Sequence, residues 1–387
     1  MKFYLMNLDE EYGTFDLEYT INDKGDREYS FPNCHVTEPD LQPYFVDKKL
    51  GIPFWIKIRP TINSADDTLR NIREKGYILE DIEWLFKNFG ANIDDGYWFR
   101  PEVLPDLKYE DIEILKNYTG LIPEIPYSEY SKKGPHTEID IDNTKICLNI
   151  YDNICEFQKQ YLISKKWQAL NELFVRFVHD RQKNNIVMLD VRLRKNSDRL
   201  YLDSLNFVKE GYNVIYAYQL YDNNNSTTMF YQFFHQLTKI FKMDSTLVQE
   251  YLDYMIVLDY LLSNSDRGGQ NYGIQQSQST KECELIPLFD YERTMGYDEY
   301  AQLLKIKDQP KDYQEMVKKL LFDQNNSKLY NVKDKNIIKL DLLPTVEEVK
   351  GFYQSFNELE LSEEELSFVL EIYEYKKNYL KEWQQGN

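Results

Sequence analysis

Apolar residues recur along the chain in two periods, and the switch between them divides it. Residues 2–6 and 14–19 alternate apolar and polar side chains around turn residues such as Asn22-Asp-Lys-Gly, and 55–58 is another short apolar run. The first sixty residues therefore read as a small β-rich region. From 64 to 89 the period lengthens, and Leu69, Ile72, Ile78, Ile82, Leu85 and Phe86 predict one or two helices. Tyr97-Trp-Phe-Arg-Pro then reads as an aromatic packing anchor. Four prolines and two glycines between 105 and 135 mark a linker. Beyond it, 144–151 reads as a strand, 156–174 as a helix, and 185–192 and 200–205 as strands joined by Arg194-Lys-Asn-Ser-Asp. Residues 228–263 are expected to be helical and to bury Phe230, Phe233, Leu237, Phe241 and Leu247. Three further helices are expected at 311–322, 345–357 and 362–384. Strands gather early and helices late, which predicts an α+β chain divided at 1–105, 106–215 and 216–387.

The candidate chemistry lies in 257–274, VLDYLLSNSDRGGQNYGI, and in IPLFDY that follows at 286–291. Tyr251, Tyr254, Leu258 and Leu261 continue the helical spacing of Leu247 into a polar loop carrying Asp266 and, five positions on, Asn271; Asp290 ends a short apolar strand. Phosphoryl transfer asks for this order, because the protein mainly positions Mg²⁺ and a hydroxyl nucleophile against a terminal phosphate. One Asp orients the hydroxyl, an Asn five residues later reaches metal, and an Asp after the next strand holds Mg²⁺. Hard oxygen donors suit that ion. Asp, Asn and Gly are common in any turn, so the pair alone fits a helix cap equally well. The apolar segments on both sides distinguish the two readings.

These segments resemble the HipA-like protein kinases, whose helix ends Asp-x-Leu-(Ile/Leu)-x-Asn-x-Asp-Arg-His-x-x-Asn-(Phe/Tyr)-Gly and is followed by Ala-Pro-(Ile/Leu)-(Phe/Tyr)-Asp. Asp259, Leu261, Leu262, Asn264, Asp266, Arg267, Asn271, Tyr272 and Gly273 match the first motif, and Pro287, Leu288, Phe289 and Asp290 the second; Gly268 replaces the His. Trp55, Arg59, Asp95, Tyr97 and Trp98 match an element found ahead of the kinase in one branch of the family. The resemblance implies a bilobal, protein-kinase-like fold, with a β-rich N-lobe, a mainly α-helical C-lobe and an extra N-terminal α/β region. It also implies ATP and Mg²⁺ as cofactors, Asp266 as catalytic residue, and Asn271 and Asp290 as metal ligands. The ATP anchor would comprise Lys133 and Gly134 in a phosphate-covering loop, Lys145 on the next strand, and Glu156. The family segment Asn-Glu-x-x-Ala-Ser aligns best with 159–164, where Gln160 takes the place of the acid and Glu156 lies one helical turn before it. Ser128, Ser131 and Thr137 are candidate phosphosites, and the crossing between lobes is expected within 206–217. The implied activity is serine/threonine phosphorylation of a protein substrate, in a toxin–antitoxin setting with a small helix-turn-helix partner. A pseudokinase or interaction module with an eroded ATP anchor is a second reading, and a small-molecule or lipid kinase a third.

Composition narrows this further. A net charge of −19 over 387 residues argues against direct hold on nucleic acid or an anionic membrane, since phosphate contacts need basic groups. No run of 18 apolar residues appears, and the first residues carry no signal-like apolar core. Cys34, Cys147, Cys155 and Cys283 form no CxxC pair or metal spacing, and read as buried thiols of a cytoplasmic protein.

Overall fold

A computed structural model describes residues 1–23, 27–44, 51–58, 89–92, 94–113, 120–123, 145–151, 154–221, 228–306 and 326–386. The helices expected at 64–89 (Phe89 apart) and 311–322 lie outside the described residues, as does Arg59. The architecture is α+β, in two compact units that the chain visits in turn. Met1–Gln160, Ser204–Gln219 and Gly273–Glu284 form the first; Tyr161–Asp203, Leu220–Tyr272 and Leu285–Asn387 form the second.

The first unit begins with strands β1 (Lys2–Asn7), β2 (Glu10–Asp16), β3 (Glu18–Ile21), β4 (Arg27–Ser30) and β5 (His35–Val36), helix α1 (Gly51–Ile58) and strand β6 (Tyr97–Pro101). A four-stranded sheet has the order β5-β2-β1-β6 and, where registers are defined, antiparallel pairing, with Leu5 opposite Phe99 and Met6 opposite Trp98. Alternation sends Phe3, Leu5, Tyr97 and Phe99 to one face, where Ile52, Trp55 and Ile56 of α1 cover them. Met6 and Trp98 face the other way, against Ala91 and Ile112. Trp98 is wholly buried, and its indole Nε1 donates to the Leu8 carbonyl at 2.6 Å. The aromatic run at 97–101 is thus the packing anchor its composition suggested.

The expected strand at 55–58 is instead the end of α1. Ile52, Trp55 and Ile56 stand at i, i+3 and i+4, a helical stripe, and Pro53 falls in the first turn, where a missing N–H costs nothing.

Strands β7 (Gly120–Pro123), β8 (Lys145–Tyr151) and β9 (Ile154–Leu162) follow as an antiparallel meander. The helix expected from 156 is therefore displaced. Register pairing of Asn149 with Glu156 and Lys145 with Gln160 claims residues 154–162 for the sheet. Helix α2 begins only at Lys166 and runs to Gln182, with Leu170, Phe174 and Val178 on one buried stripe. Likewise, 185–192 forms just an isolated parallel bridge, Met188 to Leu288, and the strand it was to be is β10 (Arg192–Asn196), hairpin-paired with β11 (Arg199–Leu205). The first unit ends in a three-stranded sheet of β12 (Tyr212–Tyr216), β13 (Gly273–Ser277) and β14 (Cys283–Leu285).

Helices dominate the second unit: α3 (Met229–His235), α4 (Ser245–Leu261), α5 (Tyr297–Ile306), α6 (Val346–Gln354) and α7 (Glu363–Gln385). The expected helix over 228–263 is interrupted by a π-turn at Gln236–Ile240 and restarts where Asp244 caps the Thr246 and Leu247 amides. That restart rotates the buried face, leaving Leu247 exposed and burying Val248 instead. Every residue from Tyr251 to Leu261 is buried, so α4 is the unit's central helix. Capping boxes Thr345/Glu348 and Ser362/Glu365 start α6 and α7. Phe174 of α2 packs on Phe352, Tyr353 and Tyr373 from those helices. No described helix is long and apolar enough to cross a membrane.

One charge sits inside this helical core. Lys376 of α7 is fully buried, with its ammonium 4.3 Å from the Tyr260 ring centroid, and burial pushes its amine down from 10.5 to about 8, against the pull of Glu299. Between pH 8 and 10.5 the unfolded chain then holds more protons than the folded one, so this group's contribution to stability rises with pH. Urea unfolding at pH 7.5 and 9.5 should show wild type gaining stability relative to Lys376→Met, by about 2 kcal/mol. A constant difference would contradict a depressed amine.

Candidate active site

The site is built at the C-terminal end of α4. Leu262 closes the helix, Ser263 takes a left-handed conformation (φ 50°), and the Asn264 amide donates to the Asp259 carbonyl at 2.8 Å. From this turn Arg267 folds back into the core with no side-chain exposure. Its guanidinium donates to Asp259 Oδ2 at 3.0 Å and Oδ1 at 3.1 Å, to the Phe289 carbonyl at 2.8 Å and to the Asn271 carbonyl at 3.2 Å, and lies 4.3 Å from the Tyr291 ring centroid. Burial opposes its charge, but Asp259 more than offsets this and holds the guanidinium above its usual range. One side chain thus ties the helix end, the polar loop and the segment before Asp290, which follows β14 as irregular chain, into a single frame.

Within that frame the loop is closed by backbone and amide bonds. The Asp266 amide donates to Asn264 Oδ1 at 3.1 Å, and Asn264 Nδ2 donates to Asp259 Oδ1 at 2.8 Å. The Asp266 carbonyl accepts from the Gly268 amide at 2.8 Å and from Asn271 Nδ2 at 3.0 Å. That last bond fixes the buried Asn271 amide and leaves Oδ1 as its acceptor. A Cβ at Gly268 would collide with the Gln270 side-chain amide, so the absent His makes room for Gln270.

Asp266 itself remains accessible, its side chain 45% exposed. Partial burial raises its carboxyl above the ordinary aspartate value, the charge of Asp290 raises it further, and Arg293, with Nε 3.8 Å from Oδ2, pulls it back. Asp290 adopts φ 63°, which is uncommon for a residue with a Cβ and is held here by its neighbours. On one side Phe289 is bonded to Arg267; on the other, the Tyr291 amide donates to Glu172 Oε2 at 3.1 Å. The rest of this segment hangs from α2 as well. Asn171 Nδ2 donates to the Glu292 and Thr294 carbonyls at 3.1 and 2.8 Å, Tyr353 Oη donates to Asn171 Oδ1, and Tyr161 Oη donates to Glu292 Oε2 at 2.8 Å.

Carboxylate oxygens of Glu172, Asp290 and Glu292 come within 4.8 Å of one another. Such a set of hard oxygens fits Mg²⁺. Asp266, Asn271 and Asp290 all belong to the second unit, and Asp266 and Asp290 feel each other's charge. The ATP-anchor residues fare differently. Lys133, Gly134, Ser128, Ser131 and Thr137 lie outside the described residues. Lys145 sits on β8 of the first unit, and Glu156 on strand β9 instead of a helix. The helix acid that the frame uses is Glu172, and its neighbour Asn171 completes an Asn-Glu pair. The sequence carried that signal, since Asn171-Glu172 matches the Asn-Glu of the family segment, but a helix begun ten residues too early hid it.

Replacing Arg267 with Met should cost about 3–5 kcal/mol in urea unfolding, because Asp259 is left charged and buried. Asp259→Leu added to Arg267→Met should recover most of that loss. If the single variant is as stable as wild type, the pair does not hold the loop.

No protein-family model matches the chain, and no curated protein does. Among solved structures it is similar to the crystal structure of a Helicobacter pylori proinflammatory kinase, CtkA, at 13% identity and a TM-score of 0.46, over 64% of this chain and 95% of that one.

Proposed function

We propose that the chain is an ATP- and Mg²⁺-dependent phosphotransferase of the HipA-like kind, acting on a serine or threonine hydroxyl of a protein. The observation that carries this reading is the loop that Arg267 closes, which holds Asp266 accessible beside the acidic segment of Asp290. Asp266 accepts a hydrogen bond from the substrate hydroxyl and orients its oxygen toward the terminal phosphate. The raised carboxyl makes Asp266 a better proton acceptor than an ordinary aspartate. Asn271 and Asp290 are the residues that would hold Mg²⁺, which would supply positive charge against that of the phosphates. Glu172 positions Asp290 by accepting from the amide that follows it.

The same frame moves the lysine. With Glu172 as the helix acid, the strand leading into α2 is β9, and the lysine it carries is Lys159. We assign Lys159 the α/β-phosphate contact first sought at Lys145. The pseudokinase reading rested on Leu148 or Asn149 at the family's lysine position and on Gln160 at its acid position; Lys159 and Glu172 would supply both groups.

Two measurements test the reading. Incorporation of radiolabelled phosphate from ATP should fall by about 10²–10⁴ in Asp266→Asn. ATP with Mg²⁺ should still raise the melting temperature of that variant, as it does for wild type but not for Lys159→Met. No melting shift at millimolar ATP in wild type would overturn the assignment. The second is a pH profile. Arg293 holds the Asp266 carboxyl down, so the acid limb of kcat/KM should move to higher pH in Arg293→Ala. An unmoved limb would show that another group titrates.

A further inference from the structure

Three consecutive residues after the Asp266 loop are each fixed by a different part of the protein, and the middle one draws in a side chain that phosphotransfer leaves without a role. Asn271 is held through Nδ2, which donates to the Asp266 carbonyl, and through its own carbonyl, which accepts from Arg267. Gly273 lies opposite Tyr216 in the β12–β13 register, so close that a Cβ would strike the Ile215 carbonyl oxygen. Between them Tyr272 is 2% exposed, with its ring edge to face on Phe233 at 5.1 Å and inclined to Phe230 at 6.5 Å. Its hydroxyl is hydrogen-bonded to that of Tyr221.

That bond spans one whole passage of the chain through the second unit. Leu220 enters the unit and Tyr272 is the last residue before Gly273 returns to the first, so the hydroxyls join the start of the passage to its end. Burial pushes both phenols up, Tyr272 to about 12, so both keep their protons near neutral pH and one donates to the other. Ring contacts alone let an aromatic side chain slide or tilt, because they are weakly directional. A hydrogen bond at the far end of the ring is directional and removes that freedom. Any backbone rotation at Tyr272 is transmitted to Asn271, since the peptide plane between them is stiff. Asn271 Nδ2 is already anchored on the Asp266 carbonyl, so the aim of Oδ1 follows the backbone that Tyr272 holds.

We propose that Tyr221 is a positioning residue for Asn271, acting through the Tyr272 hydroxyl; this rests on the reading of Asn271 as a ligand to Mg²⁺. The test is Mn²⁺ binding by the full chain with a non-hydrolysable ATP analogue present, read from loss of the free ion's paramagnetic resonance signal. Tyr221→Phe should bind Mn²⁺ about tenfold more weakly than wild type, the scale on which contacts behind a ligand change metal affinity. Tyr272→Phe should weaken it similarly, and the double variant should lose no more than either alone, because each change removes the same bond. Tyr373→Phe removes another buried phenol's bond, to the Pro344 carbonyl at 2.8 Å, and should lower the melting temperature while leaving Mn²⁺ affinity unchanged. Wild-type affinity in Tyr221→Phe, an equal loss in Tyr373→Phe, or losses that multiply in the double variant would each overturn the proposal. Asn271→Ala separates the proposal from the reading beneath it. If Asn271→Ala holds Mn²⁺ as tightly as wild type, or wild type holds none, the ligand and its support fall together; loss in Asn271→Ala with none in Tyr221→Phe overturns Tyr221 alone. Melting curves show that each variant is folded, and Tyr272→Phe keeps the test open if Tyr221→Phe is not.

Discussion

The buried pair of Arg267 and Asp259 is the constraint on which the candidate site depends. A guanidinium without solvent contact is tolerated because its donors are spread over a carboxylate and two carbonyls, Asn271 and Phe289. Those carbonyls belong to segments eighteen residues apart, so satisfying one cation fixes the relative position of the loop with Asp266 and the segment with Asp290. The energetic requirement of a buried charge and the geometric requirement of a reaction centre are met by the same four contacts. A hydrophobic replacement can supply stability but not that geometry.

Around this frame the charges are arranged with one unresolved repulsion. The charge of Asp290 raises the cost of ionising Asp266, and Glu172 and Glu292 add carboxylates beside Asp290. Arg293 answers part of it from 3.8 Å. In the proposed reaction, a divalent ion accompanying the nucleotide would supply the remainder. The left-handed backbone at Asp290 fits the same view, because Phe289 and Tyr291 on either side are each tied by a hydrogen bond to a buried charged side chain.

Much of this was legible in the amino-acid order. The run from Tyr251 to Asp290 declares its helix and polar loop through periodicity and the apolar segments that frame it, and Thr345/Glu348 and Ser362/Glu365 announce the last helices. The misreadings share a physical cause. Residues 154–162 have no periodic signature strong enough to resist a helix assignment, and pairing with β8, a non-local interaction, settles them as strand. Trp55 sits in a β-branched run that looks extended until Ile52 is counted with it. The π-turn at 236–240 shifts the register of α4 by less than a turn, enough to exchange Leu247 for Val248. Glu172 was missed because the helix that carries it was placed too early.

The most direct test of the central claim is the position of a metal ion. In crystals grown with Mn²⁺ and a non-hydrolysable ATP analogue, the anomalous signal should place the ion against Asn271 Oδ1 and the Asp290 carboxylate, with the Arg267 to Asp259 pair intact. An ion bound elsewhere, or Asn271 and Asp290 left without one while nucleotide is present, would contradict the account.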